Sequence, residues 1–126
     1  MAEKASAFAV PLILAAIFAF CVGRAANIVV KSYAAIFIGV FMAVMTPGVM
    51  GYFSAGRVDH HGLQLIFLAC AFWGLMAQDK KGAILAGLSI PASLTIGLEL
   101  LPILGLMVAW VAIIWAIRGD ERSEQT

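Results

Sequence analysis

Residues 82–117 read GAILAGLSIPASLTIGLELLPILGLMVAWVAIIWAI, and Glu99 is the one charged residue among them. As a single helix these 36 residues would extend about 54 Å, far beyond a hydrocarbon core of roughly 30 Å. The stretch therefore has to split. Pro102 suits the first turn of a new helix, where its missing N–H would have had no partner, and Gly97 suits the end of the preceding one. Two crossings result, near 82–98 and 102–117, with Glu99 in the turn between them.

The same length argument applies on the N-terminal side. Residues 62–78 form an uncharged run whose 17 residues cover about 26 Å as a helix, enough for a crossing only if both ends lie at the interfaces. Residues 5–23 carry no charge and stop at Arg24. Their flanks lack a clear small-residue cleavage site, so the segment reads as a span and not as a removable leader. Residues 32–56 are again uncharged, but Thr46-Pro47-Gly48 interrupts them, so the span closes near 48. Tyr52 and Phe53 are then expected at headgroup level.

The expected fold is an all-α polytopic transmembrane bundle of four to five spans, near 5–23, 32–48, 62–78, 82–98 and 102–117, followed by a polar cytoplasmic tail at 119–126. Composition requires lipid as solvent, since 63% of the 126 residues are hydrophobic and only 12% are charged. A net charge of +1, with charges only in short clusters, gives no footprint for nucleic acid. Small residues at four-residue spacing, Ala15/Ala19/Gly23 and Ser89/Ser93/Gly97, suit close helix approach. Cys21 and Cys70 fall inside apolar runs and read as small apolar side chains; a disulfide would require their helices to pack face to face at one depth.

Loop charges set the orientation. With the N-terminus outside, Arg24, Lys31, Lys80, Lys81, Arg118 and Arg122 are cytoplasmic, which is six of the eight basic residues. Arg57, Asp59, His60, His61 and Glu99 then all reach the external face, delivered by two loops far apart in sequence.

The chemistry-bearing string is Gly56-Arg57-Val58-Asp59-His60-His61-Gly62-Leu63-Gln64, directly before the third span. One carboxylate and two imidazoles offer a hard oxygen and two borderline nitrogens, a donor set for Mn, Mg or Zn. Neighbouring helical residues diverge by about 100°, so at most two of the three can reach one ion from a regular helix. Asp59 equally suits an N-cap, with His60 and His61 as interfacial polar groups. Glu99 has to face protein, water or a cation. Thr95, one turn earlier, is placed to hydrogen-bond it. Arg57 is available either to pair with Glu99 or to grip a phosphate through both arms of its fork.

This string, taken with Ser93-Leu94-Thr95-Ile96-Gly97-Leu98-Glu99, resembles a segment of bacterial GT-C type membrane glycosyltransferases, which are distantly similar to the catalytic subunit of oligosaccharyltransferase. The resemblance implies sugar transfer from a polyprenyl-phosphate donor at the external face of a bacterial inner membrane. It implies a divalent metal, Mn or Mg, held by Asp59, His60 and His61, with Arg57, His61 and Glu99 on the donor phosphate. The specific match covers about ten residues. GT-C enzymes also carry an acidic motif in their first external loop and have more spans; both are missing here, so the chain is expected to be a piece of a larger enzyme, or else an accessory subunit in a larger complex or homo-oligomer. Two other readings start from Glu99: a small proton- or cation-coupled transporter, which requires Glu99 in a central cavity, and a membrane subunit without chemistry, in which Asp59 and His60 are dispensable.

Overall fold

The computed structural model describes the backbone of residues 2–54 and 60–123, and side chains at 7–49, 51–54 and 60–118. Every regular element among them is helical: α1 (Ala2–Val30), α2 (Tyr33–Met45), α3 (Pro47–Tyr52), α4 (His60–Ala77), α5 (Lys80–Ile96) and α6 (Leu101–Ser123). Among the described residues, three stretches are long and apolar enough to cross a membrane: Ala7–Val30, His60–Ala77 and Leu101–Arg118. The 13 residues of α2 reach only about 20 Å. The 17 residues of α5 begin with two lysines.

Two connections are built alike. At the end of α1, Lys31 takes a left-handed conformation (φ 52°) and its N–H bonds to Asn27 O. Ser32 then caps α2, its hydroxyl accepting from Ala34 N at 3.2 Å. At the end of α4, Gln78 adopts φ 53°, and Asp79 caps α5 by accepting from Gly82 N at 2.6 Å. A left-handed residue followed at once by an N-cap reverses the chain in two residues and satisfies donors that would otherwise face lipid. The sequence reading ends the first helix at Gly23, whereas α1 continues to Val30. Arg24 does not stop it: its guanidinium lies 5.7 Å from the Trp73 ring centroid.

The second span was expected to close near 48, and α2 ends at Met45. Proline restricts the residue before it to extended backbone; Thr46 accordingly sits at ψ 106°, with its hydroxyl donating to Met42 O. Pro47 then opens α3. This short helix turns the chain back over the bundle. Phe53 is only 6% exposed, packed 5.6 Å from the Phe18 ring and against Gly62. An aromatic side chain at the end of a returning helix fills the gap between α1 and α4.

Helix α1 packs on α2 and α4, and α4 packs on α5. Glycine makes the closest approaches. Gly23 lies under Ile36 and Val40, and Gly39 under Ala26. Gly74 and Gly82 bring the α4 and α5 backbones together so closely that a Cβ at Gly74 would lie 2.5 Å from Gly82 O. One core cluster joins Phe18, Cys21, Ala43, Phe53, Ile66 and Ala69. A second seats Leu104 and Met107 of α6 on Ala71 of α4. Outside that seat α6 is bare: Leu106 is 73% exposed and Trp115 77%, as lipid-facing side chains are. Pro91 lies within α5 without ending it.

Candidate functional site

The start of α4 and the turn after α5 lie at the same end of the bundle, and the antiparallel α4–α5 pair is what unites them. Two bonds fasten that end. Gln64, 2% exposed, donates from Nε2 to Gly97 O at 2.9 Å. One turn earlier on α4, His61 Nε2 lies 2.8 Å from Glu99 Oε2. Gly97 is extended, with φ −176°, so no unusual backbone requires glycine there. A Cβ would sit 2.8 Å from Gln64 Nε2, so a side chain at 97 would displace that amide.

His60, His61 and Glu99 form a cluster whose potential ligand atoms all lie within 4.8 Å of one another. Donors about 2.1 Å from one ion are separated by at most about 4.2 Å. Rotations closing a few tenths of an ångström would therefore suffice, and the three residues fit a divalent cation. Glu99 is open to solution, its side chain 62% exposed, while that of His61 is 26% exposed. His61 Nε2 is committed to Glu99. If Nε2 is to bind a metal instead, the shared proton has to leave, so proton and metal compete.

The imidazoles are held by aromatic neighbours. The His60 and His61 rings are 4.2 Å apart, and Tyr52 stacks on His61 at 5.5 Å with a 19° interplanar angle. Tyr52 is a positioning residue that sequence reading assigned only to the headgroup region. Its signal would have been an aromatic residue shortly before the His pair. Gln64 was part of the string without a role, although a buried amide three residues after His61 has to find a partner in an apolar helix. Thr95 was expected to orient Glu99 and does not: its hydroxyl donates to Ala92 O at 2.8 Å, because α5 stops at Ile96 and the following turn carries Glu99 away towards α4. Arg57 and Asp59 lie outside the described residues.

Cys21 and Cys70 are both free and meet between α1 and α4 with 3.4 Å between sulfurs. Trp73 packs edge-on to Phe20 at 5.9 Å, which places it in the same helix contact.

No protein-family model matches this chain, and comparison with curated proteins and with solved structures likewise finds no match.

Proposed function

We propose that this chain forms the metal- and phosphate-holding part of a membrane glycosyltransferase of GT-C type, acting on a polyprenyl-phosphate-linked sugar at the external face of a bacterial inner membrane. The observation that carries the reading is the convergence of His60, His61 and Glu99 from separate turns, with donor atoms within 4.8 Å. In this reading α2 and α5 also cross the bilayer, giving five spans.

The residues divide the work as follows. His60, His61 and Asp59 would hold Mn or Mg, and a bound cation supplies positive charge against a departing phosphate. Glu99 accepts from His61 Nε2 at 2.8 Å, which fixes the ring. Arg57 offers two parallel donors to phosphate oxygens. Tyr52 and Gln64 are positioning residues: one holds the imidazole plane, and the other ties α4 to the turn that bears Glu99. A polyprenyl chain needs an apolar path beside the site, and the exposed aliphatic faces of α2 and α6 supply lipid-facing surface. The accessible position of Glu99 at a bundle end supports this reading over a transporter that would enclose its carboxylate.

The test is Mn binding by the full chain in nanodiscs, followed by electron paramagnetic resonance, together with sugar release from a polyprenyl-phosphate donor. His61→Ala and Glu99→Gln should each weaken Mn binding at least tenfold, as loss of a ligand or of the group orienting it does. Unchanged binding in both variants would remove the basis of the proposal.

A further inference from the structure

Cys21 and Cys70 belong to segments separated by two helices and a loop, yet their sulfurs lie 3.4 Å apart. A disulfide requires about 2.05 Å, so the sulfurs need to close by about 1.4 Å, within reach of side-chain rotation. The pair is deep. Cys70 is ten residues into α4 and Cys21 nine residues from the end of α1, so each lies about 14 Å from that helix end, near mid-span. Its surroundings are apolar: Phe18, Ile66 and Ala69 belong to the same cluster, with Trp73 packed against it. Cys21 is 2% exposed, whereas Cys70 is partly exposed. Cys70 is therefore the more accessible member of the pair, and Cys21 is positioned to resolve the product.

We propose that Cys21 and Cys70 are an intramembrane dithiol–disulfide couple whose electron partner is a lipid-soluble quinone. The two S–H bonds break and one S–S bond forms; two electrons and two protons pass to the quinone, which becomes the quinol. A hydrophilic partner such as glutathione is charged and does not reach this depth. The disulfide staples α1 to α4, the helix that begins with His60 and His61. The couple stands on its own geometry and does not depend on the proposed transferase role.

The experiment uses the full chain in proteoliposomes, reduced with a membrane-permeant thiol and then given decylubiquinone. The expected result is one quinol formed per chain, loss of two hydrogens by intact mass, and a linked peptide pair containing Cys21 and Cys70. Cys21→Ser and Cys70→Ser should each abolish both quinol formation and the linked pair, while oxidised glutathione should leave the thiols reduced. Wild-type protein that shows no linked pair even with copper-phenanthroline overturns the geometry. Oxidation by glutathione as fast as by quinone overturns the lipid-soluble partner, and disulfides formed between chains overturn the intramolecular pair.

Discussion

The α4–α5 hairpin is closed by two glycines, and adding one methyl group to Gly74 tests whether that contact holds the bundle together. A Cβ there would lie 2.5 Å from Gly82 O, 2.8 Å from Ala86 N and 3.1 Å from Ala86 Cβ. Ordinary contact begins near 3.4 Å, so the carbonyl has to retreat by about 0.9 Å. Two of the three atoms are backbone, and no rotamer change relieves them. Separating α4 from α5 by that distance loosens the packing along their shared face, which includes fully buried Ala71 and Ser93. Overpacking of this kind costs about 1–3 kcal/mol. Gly87→Ala is the matched control, because nothing lies within 4 Å of a Cβ at that position of α5; removing glycine from a helix there should be neutral or stabilising by up to about 1 kcal/mol. Thermal unfolding in detergent can be followed by the reaction of Cys21 and Cys70 with a thiol-reactive dye as the helices part. Gly74→Ala should melt several degrees below wild type, and Gly87→Ala at or above it. Gly74→Ala and Gly82→Ala should also combine to less than the sum of their separate losses, since both relieve one contact. Equal melting of Gly74→Ala and Gly87→Ala would refute the close approach.

Asp79→Ala removes the cap of α5 and should cost about 0.5–2 kcal/mol in the same melt, whereas Asp79→Asn should retain most of the stability. Gln64→Ala removes the bond to the partly buried Gly97 carbonyl, a loss of about 0.5–1.5 kcal/mol; it should also weaken Mn binding by freeing the turn that carries Glu99, which titration in nanodiscs would detect. Gln78→Gly places glycine at a left-handed φ of 53° and should raise the melting midpoint by an amount equivalent to at most about 1–2 kcal/mol. An unchanged or lower midpoint would show that the turn is not strained by its side chain.

Sequence alone determined that the chain is helical and built for lipid, because long uncharged runs admit no other solvent and only a helix satisfies its own backbone there. It also located the turn at Gly97–Pro102 and the break at Pro47, since proline and glycine act locally. Other features depended on which helix faces which. The joining of His61 to Glu99 follows from the antiparallel packing of α4 on α5, the burial of Phe53 from the return of α3, and the meeting of Cys21 with Cys70 from the contact of α1 with α4. Residues 49 apart in the chain carry no mark of their pairing, since helical periodicity shows which side of a helix is apolar but not its neighbour. Arg24 illustrates the limit in the other direction: a charge that reads as the end of a span lies within a helix once an aromatic ring elsewhere in the chain is there to receive it.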